Sequence, residues 1–348
     1  MNARPVLFAA ALVAAACSDA LERDTTTGLV IAVVNTGSNS LSFVSAQSFT
    51  SGPVADLTPP TGTPATVDAR SSVLVVPMGI VNALRVYSFG TLSGPTIIAL
   101  PTNSGATGVA IENDSLAWVA NPNLNSVTVV NYLTGDTVTR AAGTYPQAVA
   151  VTDAYVFVIN GNLTGGQPAG PSSLTWFTRS GPSPIYAFGT TPLSCTNARF
   201  AAVGSDGFLY VVCAGTVGAA DGKLSIVDPV ALREVAVLNG LGELPGPAVY
   251  HPSGRLLVAS ATEGILEVNT LTRSVTRGTG NGIKPSGDGI SGLTLDPRGR
   301  VYAVAPGTCA GPGHVHVLSA PPDYRPLAAP TVGVCPAAAV LAAVPLIN

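Results

Sequence analysis

Acid–base or metal chemistry in this chain has to be built from three histidines, nineteen carboxylates and five cysteines. His314 and His316 stand two apart in an alternating apolar segment. On a strand both point to one face, where two imidazoles could share a metal, but no third ligand is evident beside them. His251 sits in the turn-like run Tyr250-His-Pro-Ser-Gly254 and reads as turn structure. The carboxylates that could meet in a site are Glu263, Asp288 and Glu243, with Lys284 near Asp288. HExxH, CxxC, GxSxG, a phosphate-binding glycine loop and a calcium loop are all missing from the sequence. The run Gly278-Thr-Gly-Asn-Gly282 lacks GxGxxG spacing and reads as a loop. The remaining candidates are amides. Asn35, Asn121 and Asn160 each follow a short apolar run and are candidate ligand contacts.

The elements that position these residues are strands. Only 10% of the 348 residues are charged, while glycine (38) and proline (29) are frequent, which disfavours a helical bundle. The formal net charge of −3 and the scarcity of Lys and Arg exclude a nucleic-acid binder held by a basic patch. A short apolar strand recurs at 30–34, 73–76, 116–120, 155–159, 209–212, 256–259 and 301–305, with a mean step of about 45 residues, the period of propeller blades. Each copy is followed by an alternating strand, as at Val127/Val129 and Leu224/Ile226. Small-residue strands precede most copies, at 65–67, 108–111, 148–151, 201–203, 247–250 and 292–295, joined to them by tight polar turns. A weaker fourth strand follows, as at 96–100, 136–140 and 234–238.

These features predict an all-β, seven-bladed β-propeller over residues 28–348. The first copy has no small-residue strand before it, and the chain ends in a spare one at 334–344. That segment is expected to pair beside 30–34 and close the ring. A C-terminal membrane helix is the rival reading, but Pro336 and Pro345 bracket too few residues for it.

The unit Leu116-Ala-Trp-Val-Ala-Asn121, Asn125-Ser-Val-Thr-Val-Val130, Thr134-Gly-Asp136 and Pro146-Gln-Ala-Val-Ala-Val151 resembles a YVTN-type repeat, a relative of NHL and other bacterial propellers. The other units match in pattern, with Pro77, Cys213 and Pro306 in place of the usual asparagine. The resemblance implies a propeller and leaves activity open. At the other end, Leu12-Val-Ala-Ala-Ala-Cys17 resembles a bacterial lipobox, behind Arg4 and a twelve-residue apolar run too short to span a bilayer. The resemblance implies a signal peptide over 1–17, lipid on Cys17 and a tether over 18–27. An ordinary cleaved signal is the alternative.

Export implies an oxidising compartment, in which the other four cysteines are expected to pair. Aligning the repeats places them as two local pairs, Cys195–Cys213 and Cys309–Cys335, the second fastening the ring closure. Free buried thiols are the alternative. For function, the leading expectation is a monomeric, lipid-anchored envelope protein without a cofactor. It would bind a protein, peptide or glycan through the Gly-, Pro- and Asn-rich loops of one face. The runner-up resembles propeller lactonases or lyases, with Glu263, Asp288 and Glu243 around a divalent metal. Convergence of these carboxylates near the axis separates the two. A quinone-dependent dehydrogenase is more distant, because Trp118 and Trp176 are the only tryptophans.

Overall fold

The computed structural model describes residues 27–57, 61–89, 96–179 and 188–345. The expected leader 1–17 and nearly all of the tether lie outside the described residues. The regular structure of the described chain is almost wholly antiparallel sheet, in seven blades. Blade 3 shows the plan. Its inner strand Val109–Ile111 is followed outward by Leu116–Asn121, Ser126–Asn131 and the exposed Thr137–Ala141.

The second strand of every blade is a continuous apolar run because it is covered on both faces. Successive side chains point to opposite sides of the sheet, so alternate residues enter alternate cores. Ala117 and Val119 pack toward blade 2 with Val75 and Leu84. Trp118 and Ala120 pack toward blade 4 with Val156 and Val158. The same division recurs around the ring, with one apolar cluster between each pair of neighbouring blades. At blade 1, Ile31 and Val33 face blade 7 while Ala32 and Val34 face blade 2. That contact exists because the closing strand Pro336–Pro345 pairs with Thr27–Asn35 and so completes the first sheet.

Two boundaries differ from the sequence reading. The inner strand expected at 65–67 begins its ladder later, as Asp68–Arg70 against Val73–Pro77. The stretch before it is held by the flanking blades instead. Thr36 Oγ1 donates to the Pro64 carbonyl at 2.6 Å, and Thr66 Oγ1 donates to the Thr107 carbonyl. At the other end, Val334 belongs to Thr331–Val334, which pairs with Pro312–Leu318 of blade 7. Cys335 turns the chain with a left-handed φ of 53°, and the closing strand starts at Pro336.

Both disulfides join the expected partners. Cys195 and Cys213 have Cα atoms 6.1 Å apart, and Cys309 and Cys335 have theirs 4.5 Å apart. The first pair is offset in sequence, since Ala198 is the residue that faces Cys213 across the ladder. A corner at Asn197, with φ of 54° and its side-chain amide donating to the Gly215 carbonyl at 2.9 Å, swings Cys195 back over the strand end. Among the described residues no helix is long and apolar enough to cross a membrane.

Candidate functional site

The inner strands converge on an axial channel, and its mouth is a cavity of about 330 Å³. Every blade contributes to the wall: Ala337 from blade 1, then Thr66, Thr107, Gln147, Arg199, Pro247 and Ser291 in ring order. Three of these residues are placed there by β-bulges. The ladder slips by one residue between Pro146 and Ala148, between Ala198 and Phe200, and opposite Val34/Asn35, where Ala338 is followed by Pro336. The skipped residues are Gln147, Arg199 and Ala337, and all three line the mouth. A bulge re-aims a side chain that regular pairing would hold elsewhere.

Hydrogen bonds along the rim join blades 7, 1, 2, 3, 4 and 5 in turn. Thr107 Oγ1 donates to the Gln147 carbonyl at 3.2 Å, and Gln147 Nε2 donates to the Ala198 carbonyl at 3.0 Å. Ser291 Oγ donates to the Pro336 carbonyl at 2.8 Å across the ring closure. With the Thr36 and Thr66 bonds, most rim hydroxyls and the Gln147 amide are spent on holding the blades in register. Arg199 is different. It is open to water along the mouth. Even so, desolvation by the surrounding protein pulls its pKa below the ordinary guanidinium value, with nearby Tyr145 acting in the opposite direction. Its guanidinium lies 5.2 Å from the centre of the Phe200 ring. The lining residues include no carboxylate.

Arg199, Gln147 and Tyr145 were not among the residues expected from the sequence to form a site. The available signal was alignment of the inner strands, where Pro146-Gln147-Ala148 and Ala198-Arg199-Phe200 both carry a long polar residue between apolar ones at one slot.

The candidates that were singled out have other positions. Asn35, Asn121 and Asn160 are fully buried inside their blades rather than on a ligand-accessible surface. Each amide bridges two hydroxyls of the neighbouring strand. Asn35 Nδ2 reaches Ser40 Oγ at 3.1 Å and Ser42 Oγ at 2.9 Å. Asn121 Nδ2 reaches Ser126 Oγ at 3.2 Å and Thr128 Oγ1 at 2.8 Å. Asn160 Nδ2 reaches Ser173 Oγ at 3.3 Å and Thr175 Oγ1 at 3.0 Å. These residues recur because a buried amide needs partners, and the third strand supplies the same hydroxyl pair each time.

Glu263, Lys284 and Asp288 lie on the loops that flank blades 6 and 7, and they form two separate pairs. Lys284 Nζ is 4.0 Å from Glu263 Oε2, and His316 Nε2 is 2.8 Å from Asp288 Oδ2. Glu243 accepts a hydrogen bond from the Gly218 amide at 3.1 Å. Each carboxylate thus faces a partner of its own, and none of the three lines the axial mouth. His314 is exposed and His316 buried, although both stand on one strand. Among the described residues no three His, Cys, Asp or Glu side chains cluster as a metal site would require. His251 closes a turn, as expected, with Nδ1 accepting from the Ser253 amide at 3.1 Å and Nε2 3.2 Å from the Gly299 carbonyl.

Neither a protein-family model nor a curated protein sequence matches the chain. Solved structures do match it in fold. A functionally unknown protein from Desulfotomaculum acetoxidans aligns with a TM-score of 0.64 at 14% identity, over 90% of this chain and 98% of that one. A streptogramin B lyase aligns with a TM-score of 0.62 at 13% identity, over 79% and 94%. Apo AztD from Citrobacter koseri aligns with a TM-score of 0.57 at 12% identity, over 92% and 98%. Likeness at this level of identity carries the architecture, and the chain is similar to these proteins as a seven-bladed β-propeller.

Proposed function

We propose that this protein is a non-enzymatic binding propeller of the bacterial cell envelope, of the YVTN-type kind, tethered through lipid on Cys17. It presents the axial mouth and the surrounding loops to a protein, peptide or glycan. The observation that carries this reading is the mouth itself. All seven blades wall one cavity, most of its polar groups are spent on the frame, and Arg199 is left facing the opening. The two disulfides suit an oxidising compartment and so support export. The resemblance of residues 12–17 to a lipobox supports the anchor, and the unit at 116–151 supports the repeat type.

The experiment is capture from envelope extracts by the wild-type protein and by Thr66→Trp, which fills the mouth. A component retained by the wild type and lost with Thr66→Trp is the expected result. No retained component, or one indifferent to the plug, refutes binding through the mouth. Cys17→Ala is expected to move the protein from the membrane to the soluble fraction.

A lyase or hydrolase reading has one observation in its favour, the Asp288–His316 pair, in which a carboxylate contacts a buried imidazole. The pair lies off the axial cavity, and among the described residues no third His, Cys, Asp or Glu clusters with it. Turnover lost in His316→Gln would favour that reading.

A further inference from the structure

We propose that the axial channel binds a monocarboxylate carrying a short apolar tail, with the carboxylate on Arg199 at the mouth and the tail in the shaft below. This deepens the binding reading above and rests on it for the location of the site. The first ground is an unanswered charge. Arg199 is brought to the wall by the bulge between Ala198 and Phe200, and among the described residues no carboxylate pairs with it. The planar fork of a guanidinium matches a carboxylate, and the charge strengthens the paired hydrogen bonds. The second ground is the supply of donors. Thr66, Thr107 and Ser291 spend their hydroxyl protons on backbone carbonyls around the rim. The Tyr145 hydroxyl has no partner among the described residues, and Tyr145 lines the same mouth as Arg199. Arg199 and Tyr145 therefore supply the free donors to an oxyanion. One cation without a second beside it suits a single negative charge better than a phosphate dianion.

The third ground is what lies beneath. The mouth opens into a shaft of about 150 Å³ that shares Thr66, Phe200 and Pro247 with it. The shaft is walled by Val67, Val109, Val149, Ala201, Leu293 and Ala339. Such a wall favours a tail without polar groups, since a buried polar group lacking partners costs free energy. A ligand polar at one end and apolar at the other matches the two zones in order.

The test is calorimetric titration of the full-length chain with hexanoate, hexan-1-ol and acetate. Saturable binding of hexanoate is expected, with hexan-1-ol and acetate each about tenfold or more weaker, because the first lacks the charge and the second the tail. Arg199→Gln is expected to bring hexanoate down to the level of hexan-1-ol without weakening hexan-1-ol itself, and Arg199→Lys to restore part of the difference. The dipeptide N-acetyl-alanyl-leucine, with a free or an amidated C-terminus, separates a chain end from a free acid as the natural source. Equal binding of hexanoate and hexan-1-ol to the wild type, or no binding of either carboxylate, overturns the proposal without recourse to a variant. Envelope capture is a separate readout. A component still lost with Thr66→Trp, in the absence of hexanoate binding, leaves the binding-propeller reading standing and overturns this proposal.

Discussion

Mild reduction of the native protein should open Cys309–Cys335 and leave Cys195–Cys213 intact. Thiol–disulfide exchange requires access to a sulfur. Cys195 and Cys213 are each 1% exposed, whereas Cys309 is exposed and Cys335 half-buried. The cost of opening follows from the chain enclosed. The outer pair is separated by 26 residues, which in the chain-entropy model corresponds to about 3.5 kcal/mol at 25 °C. The inner pair, separated by 18, corresponds to about 3.2 kcal/mol in the same model. The two are nearly equal, so an excess at the outer bridge has to come from the fold around it. There, the Thr36 amide donates to the Cys335 carbonyl at 3.1 Å and the Gly37 amide to the Val334 carbonyl at 3.0 Å, just before the closing strand. That strand pairs at nine positions with Thr27–Asn35. A loss near 3.5 kcal/mol therefore means that the bridge restrains only the unfolded chain, and a larger loss means that the closing strand frays with it. The assay is urea unfolding of the native and the mildly reduced, alkylated protein, with peptide mapping of the alkylated cysteines. Alkylation at Cys195 or Cys213 first, or a stability change under about 1 kcal/mol, would refute the reasoning.

His251 provides a pH test. Burial holds its pKa below the ordinary histidine value, with the Gly299 carbonyl opposing, so folding favours the neutral ring. The stabilisation is then fully present above the unfolded value of about 6.5 and is lost as pH falls through the lower folded value. The melting-temperature gap between wild type and His251→Asn should be flat above about pH 6.5 and shrink below it; a gap constant down to pH 5 counts against this. Asn121→Ala removes the buried amide that bridges Ser126 and Thr128. It should cost about 1–3 kcal/mol in urea unfolding while leaving ligand binding unchanged. Glu112→Ala removes the carboxylate that accepts from the Trp118 indole N–H at 2.7 Å and lies 3.5 Å from Arg179. A loss of about 1–3 kcal/mol is expected by the same assay. Glu112→Gln keeps an acceptor for Trp118 and should cost less.

What could be read from the sequence was whatever the ring repeats. The second strands stood out as apolar runs because two interfaces claim their alternate residues, as Ala117/Val119 and Trp118/Ala120 show. The disulfide partners were legible for the same reason, since superposing the units carries each cysteine to an equivalent strand end. Recurrence also misdirected. Asn35, Asn121 and Asn160 looked like a face because they are polar and repeated, but the repetition reflects a peg between neighbouring strands of one blade. The inner strand at 65–67 was read too early because small residues mark the channel wall whether or not a ladder has begun. Ala65 and Thr66 line the wall three and two residues ahead of the first pair, Asp68 with Val75.

The site was illegible because it lies where the repeat is broken. A bulge inserts one residue into the inner strand of blades 4 and 5, and a period-two reading then assigns that residue to the wrong side. Gln147 and Arg199 occupy equivalent bulges, but they do opposite things. Gln147 turns its amide to the Asn197 side chain, at 3.0 Å, and to the Ala198 carbonyl, and so joins the frame. Arg199 has no such acceptor among the described residues and lines the opening. A ring of seven similar blades is close to symmetric about its axis, and a symmetric mouth has no reason to hold an unsymmetrical ligand in one orientation. The change from glutamine to arginine between adjacent blades supplies that reason. It puts a single charge on one side of the channel, above an apolar shaft, at a position where local sequence rules fail for a physical cause.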